Sequence, residues 1–211
     1  KEKAKEYYKL GAESGSPASM YNYACMLIKG NDDEKEEAIY YYKKAAELND
    51  IESIIEYGKM LMNGIYVEQD HKTATEYFKK GALLGNAECM YLYGLMLYEN
   101  ANKREAAKYI KQSADKGYIK AINKYARMLY NGDGIPKNNE ESAKYYKIAI
   151  SKGSKSAQRN YERTQNGEKV IKKEENSIEF YKSKAEEGDF EAMYKYAVAL
   201  LDEEEDDDDS I

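Results

Sequence analysis

The 211-residue chain is 42% hydrophobic and 34% charged, with 23 tyrosines, no tryptophan and two cysteines. It has no apolar run of about 18 residues, so no membrane insertion is expected, and its balance suits a thin protein that buries one narrow seam. The net charge of −6 belongs to a tail: eight of the 39 acids lie in residues 202–209, so the 33 bases face 31 acids elsewhere, which excludes the concentrated basic surface of a nucleic-acid binder.

In chain order, residues 1–15 read as a helix carrying Tyr7-Tyr8 and stopped at Gly15. Eight residues later comes Tyr23-Ala24. The same interval separates Asn49 from Tyr57-Gly58, Gly85 from Tyr93-Gly94, Gly117 from Tyr125-Ala126, Gly153 from Tyr161-Glu162 and Gly188 from Tyr196-Ala197. Glycine and asparagine accept the left-handed conformation that ends a helix. The six tyrosines lie 34, 36, 32, 36 and 35 residues apart, and the length variation falls in the loops after Gly30, Gly64, Asn100, Gly132 and Gly167. An internal repeat of this period is the signature of a helical solenoid.

Each repeat reads as two helices. Helix A carries a small residue (Ser19, Ser53, Cys89, Ala121, Ala157, Ala192) five positions before the Gly or Ala, except that Glu162 takes that place in the fifth copy. A leucine follows three positions after it at Leu27, Leu61, Leu97, Leu129 and Leu200. Small residues at this spacing let a second helix approach closely while Tyr and Leu fill the seam. Helix B carries the pairs Tyr41-Tyr42, Tyr77-Phe78, Tyr109-Ile110, Tyr145-Tyr146 and Phe180-Tyr181. No stretch alternates with period two, so an all-α fold without a sheet is expected.

The expected array occupies residues 1–201: an orphan helix B at 1–15, repeats at 16–49, 50–85, 86–117, 118–153 and 154–188, and an orphan helix A at 189–201. Residues 202–211 form an acidic tail, expected to be disordered and solvated, or else to reach the basic end of the array. The fifth helix A has Glu162 where Ala or Gly belongs and Thr164-Gln165 where Met-Leu belongs, so it is expected to pack poorly. The orphan ends, and a first residue that is not methionine, suggest a segment of something longer.

Residues able to carry chemistry are few. His71 is the single histidine and reads as a surface residue, because metal or acid–base work needs a partner group. Cys25 and Cys89 lie about two repeats apart, beyond the roughly 7 Å span of a disulfide. They read as free thiols, which fits a reducing compartment. No phosphate-binding loop, nucleophile elbow or kinase signature occurs. The tyrosines are accounted for mainly by seam packing.

The stretch from Ala121 to Lys147, with Asn131-Gly-Asp-Gly-Ile135 in its loop and Ser142-Ala-Lys-Tyr-Tyr-Lys147 after it, resembles the Sel-one-like repeat (SLR) family of the tetratricopeptide superfamily. Asn63-Gly-Ile-Tyr-Val67 is a looser copy of the loop. The resemblance covers residues 1 to about 201 and implies a right-handed α/α superhelix in which helix A lines the concave face. Counting from Gly58, the groove positions are then Tyr21, Cys25 and Ile28; Ile55, Lys59 and Met62; Tyr91, Leu95 and Tyr98; Asn123, Arg127 and Tyr130; and Arg159 and Arg163. The first three repeats present an apolar, aromatic strip and the last two turn basic. Tyr21, Ile55, Lys59, Tyr91, Leu95, Tyr98, Arg127 and Arg159 are the expected partner-binding residues.

The resemblance implies a non-catalytic adaptor that binds a protein or peptide, with no cofactor, metal, small-molecule substrate or nucleic acid. A second reading is the regulatory or substrate-recruiting region of a larger enzyme such as a protein kinase. A secreted, cysteine-bridged repeat protein is disfavoured because such proteins carry a cysteine pair per repeat. The compartment expected is the cytoplasm, or the endoplasmic reticulum lumen if a targeting signal lies outside the segment.

Overall fold

A computed structural model describes residues 2–167. They form ten α-helices and, among the described residues, no strand: α1 Glu2–Glu13, α2 Pro17–Leu27, α3 Asp32–Glu47, α4 Ile51–Asn63, α5 His71–Leu83, α6 Ala87–Glu99, α7 Lys103–Asp115, α8 Ile119–Asn131, α9 Asn139–Ser151 and α10 Lys155–Gln165. The chain divides into two compact units, residues 1–162 and 163–211. Nearly all of the second lies outside the described residues, including the expected end of the repeat at 154–188, the helix at 189–201 and the acidic tail. Within the first unit, consecutive helices pack on one another from α1 through α9. Even-numbered helices are the A helices of the sequence pattern and odd-numbered ones the B helices.

The helix stops are where the eight-residue interval places them. Gly15, Asn49, Gly85, Gly117 and Gly153 all have positive φ, between 69° and 90°. After each, the next backbone N–H donates back to the last turn of the helix: Ser16 to Gly11, Asp50 to Ala45, Asn86 to Gly81, Tyr118 to Ser113 and Ser154 to Ala149. One hydrogen-bonded turn therefore ends each helix B and fixes the entry to the next helix A. Side chains of Ser16, Asp50 and Asn86 then cap α2, α4 and α6. At the far end of helix A the pattern is less regular. Gly64 and Gly132 are left-handed C-caps, but in the third repeat Ala101 takes the positive φ and Asn100 does not.

Two contacts build the seam. Between repeats, a small residue on helix B meets a small residue eight positions later on helix A. Gly11 meets Ser19 and Gly81 meets Cys89, and the residues at the same interval, Ala45 and Ser53, Ser113 and Ala121, and Ala149 and Ala157, are all fully buried. Within a repeat, the Gly or Ala of helix A lies under a large side chain of helix B, as Gly58 under Phe78 and Gly94 under Ile110, where a β-carbon would come within 2.5 and 2.7 Å. Next to it the helix A tyrosine meets the first residue of the helix B pair edge to face. The pairs are Tyr23–Tyr41, Tyr57–Tyr77, Tyr93–Tyr109 and Tyr125–Tyr145, with centroids 4.7 to 5.2 Å apart. This arrangement is favoured by the ring quadrupoles. Burial, joined by the Glu37 carboxylate, pushes the Tyr23 phenol up to about 12.

The last described helix departs from expectation in one respect. Glu162 is not held in the seam. It is exposed, and its carboxylate accepts a hydrogen bond from the Gln158 side-chain amide. Helix α10 buries only Ala157, because a sequence this polar has few apolar side chains to turn inward.

Candidate functional site

The residues expected to meet a partner lie on the A helices. Most are half-buried rather than exposed. Tyr21 packs edge-on against Tyr42, 5.9 Å between centroids, and Tyr42 in turn donates to the Cys25 sulfur at 3.2 Å. Ile55 is 8% exposed and belongs to the core. Lys59 is neutralised across repeats by Glu88, 2.9 Å away. Tyr91 leans on Tyr118, 5.4 Å between centroids, and on the core. Leu95 is half-buried and lies outside the core clusters.

Tyr98 is committed to its own fold. Its hydroxyl donates to the Asp133 carboxylate, which also accepts from Lys103 at 2.8 Å. The Lys124 ammonium lies over the Tyr98 ring at 3.9 Å and is only 5% exposed. A cation this buried needs such a partner. Burial alone would raise the Asp133 carboxyl, but the hydrogen bonds from Lys103 and Tyr98 outweigh it, and the group sits below the usual carboxylate range. Two residues of the loop Asn131–Ile135 thus have structural work: Asp133 joins this network, and Gly134 abuts the Lys103 backbone.

One end of the A-helix face opens into a hollow of about 160 Å³ lined by Tyr91, Ile119, Lys120, Asn123, Lys124, Arg127, Ser154, Ser156 and Asn160. Helices α6, α8 and α10, with Ser154 just before α10, supply these residues, and no carboxylate is among them. Asn160 donates to the Asn123 amide oxygen at 3.0 Å, and Asn123 donates to the Ser156 hydroxyl at 3.0 Å. Arg127 is half-buried and close enough to the phenols of Tyr91, Tyr98 and Tyr146 to oppose the rise that burial causes in each. Of the groove positions expected from sequence, the hollow brings together Tyr91, Asn123 and Arg127. Arg159 is exposed on α10 and does not line it. Lys120, Lys124 and Asn160 were not anticipated; the one signal was their position one or three residues from groove positions already identified.

Elsewhere the chemistry is sparse. Both cysteines are free, and burial pushes the Cys89 thiol up to about 12, leaving it an inert core residue. His71 is exposed at the first position of α5. Among the described residues no three His, Cys, Asp or Glu side chains converge as metal ligands, and no helix is long and apolar enough to cross a membrane.

Stacked helix pairs, a small-residue seam and an open side on the A helices define a tetratricopeptide-like helical-repeat protein. The Sel1 repeat family model matches residues 1–16, 17–50, 51–86, 87–118 and 119–154. The chain belongs to the Sel1 repeat family. Among solved structures it is similar to a Sel1 repeat protein from Oxalobacter formigenes, with a TM-score of 0.67, 25% identity, and coverage of 74% of this chain and 66% of that one. It is also similar to a protective antigen with an SLR fold from uropathogenic Escherichia coli, with a TM-score of 0.71, 25% identity, and coverage of 92% and 43%. The chain thus spans just under two thirds of the first relative and less than half of the second. No curated protein matches it by sequence. Repeat proteins of this type are generally protein-interaction scaffolds.

Proposed function

We propose that this chain is a non-catalytic scaffold that holds an extended or helical protein segment along the half-buried groove positions of its A helices. The observation that carries the reading is the contrast between the two sides of those helices. One is closed by fully buried small residues and tyrosine pairs, whereas the other keeps Tyr21, Met62, Leu95 and Arg127 half-open. Side chains held rigid by packing yet still accessible suit recognition, because little freedom is lost on binding. Two free thiols, one deep in the core, support a reducing compartment such as the cytoplasm.

Selection from a displayed library of random 12-residue peptides tests the proposal. The chain should enrich a family of related peptides, and Leu95→Ser should weaken their binding at least about tenfold. Enrichment of nothing, or peptides indifferent to both Leu95→Ser and Met62→Ser, would place recognition elsewhere.

A further inference from the structure

We propose that the open side of α1 is a docking surface for residues 189–201 of a second copy, so that chains join head to tail. The proposal uses none of the groove positions and stands apart from the scaffold reading.

Helix α1 has the sequence of a B helix, with Ala4, Tyr7 and Tyr8 in the register of Ala38, Tyr41 and Tyr42. In the later B helices this face is core. Ala38, Ala74, Ala106 and Ser142 are buried, as are Tyr42, Phe78, Ile110 and Tyr146. There the preceding helix A covers them. Gly58 lies under Phe78 and Gly94 under Ile110, and a helix A tyrosine meets the first residue of each pair edge to face. On α1 no helix plays that part among the described residues. Helix α2 packs on its other side, where Gly11 meets Ser19 and Ala12 is buried. Ala4 is left exposed and Tyr7 is 72% exposed. A face laid out for core packing but left in water favours association.

The internal copies define what fits. The occupant must offer a tyrosine followed by Gly or Ala, a small residue five positions before the Gly or Ala and a leucine three after it. Residues 189–201, which lie outside the described residues, carry this pattern at Tyr196, Ala197, Ala192 and Leu200.

Charge favours the same direction of docking. Backbone N–H groups at the start of helix B donate to carbonyls near the end of helix A, Asp70 to Leu61, Asn102 to Leu97 and Asn138 to Leu129. The end of an A helix therefore meets the start of its B helix. In that register Leu201 comes to the start of α1, and the eight acids of residues 202–209 follow beside it. Lys3 is exposed there, and the unpaired N–H groups of a helix's first turn also attract negative charge. The contact is heterologous, with a different surface on each partner, so it can repeat from copy to copy.

Sedimentation velocity of the full chain over about a hundredfold range of concentration tests the proposal. Larger species should accumulate with concentration and recede at high salt. Tyr7→Glu and Ala197→Arg should each weaken association at least about tenfold. Mixing the two variants should restore pairs that grow no further, since one supplies an intact residue 189–201 segment and the other an intact α1. Tyr7 is exposed enough that its variant keeps the fold, which circular dichroism checks.

A chain that stays monomeric throughout would overturn the proposal, as would association indifferent to Tyr7→Glu. Association lost in Tyr7→Glu but kept in Ala197→Arg would also overturn it, in favour of α1 pairing with α1. Mixed variants that fail to pair would count against it equally.

Discussion

Gly81 packs so closely on Cys89 that a β-carbon on the glycine would stand 2.3 Å from the sulfur and 2.8 Å from its β-carbon. The contact joins helix α5 to α6, and Ile54 on α4, in the same repeat as Gly81, closes it at 3.2 Å from that β-carbon. Gly81→Ala should therefore lower stability by about 2 kcal/mol through overpacking. Adding Cys89→Ala should recover part of that loss, because it removes the nearer of the two clashing atoms. Thermal melts of the two single variants and the double variant give the coupling, and strict additivity would mean the helices simply move apart.

The loops at Gly64–Asp70 and Gly132–Asn138 differ at one decisive position. Gly134 has φ +78 and abuts the Lys103 backbone, where a β-carbon would come within 2.5 Å of the carbonyl oxygen. The matching residue is Tyr66, also left-handed at φ 63. Gly134→Ala should cost at least about 2 kcal/mol, from strain and overlap together. Tyr66→Gly should be neutral or slightly stabilising, since the relief of about 1 kcal/mol of strain is offset by the greater freedom of unfolded glycine. Urea titrations should show a clear loss of stability for Gly134→Ala and no loss for Tyr66→Gly.

Asp133 makes stability depend on acid. Its folded carboxyl lies below the ordinary range because Lys103 and Tyr98 hydrogen-bond to it despite burial. Its contribution is therefore fully present above the unfolded value near 4 and is lost as pH falls through the lower folded value. The stability difference between wild type and Asp133→Asn should be constant from about pH 5 to 7 and shrink below about pH 4. A difference that stays constant down to pH 2 would show that the lost contact is steric.

Ile55, three residues before Gly58, and Leu95, one residue after Gly94, are both groove positions in the sequence pattern but differ in the fold. Ile55 is 8% exposed, so Ile55→Ala should lower stability by about 2 to 4 kcal/mol. Leu95 is half-buried outside the core clusters, so Leu95→Ser should change the melting temperature little while weakening a selected peptide. Equal destabilisation by both would mean that Leu95 is a packing residue.

The repeat, its helix stops and its packing seam were legible in the sequence because each is a local property. A left-handed residue ends a helix whatever surrounds it, which is why Gly15, Asn49, Gly85, Gly117 and Gly153 mark the turns. The Gly or Ala of helix A, such as Gly58 and Gly94, declares a close approach because a β-carbon on either glycine would run into Phe78 or Ile110. Chain order alone then brings consecutive helices together. The open face depended on contacts between repeats, which no single repeat contains. Lys59 read as a free cation until Glu88 of the next repeat was placed against it. The hollow draws Tyr91, Arg127 and Asn160 from three different A helices, and their convergence is decided by how one helix pair rotates on the next. Local chain stiffness and residue size thus determine the array, while the balance of charge and exposure on its face is set by tertiary stacking.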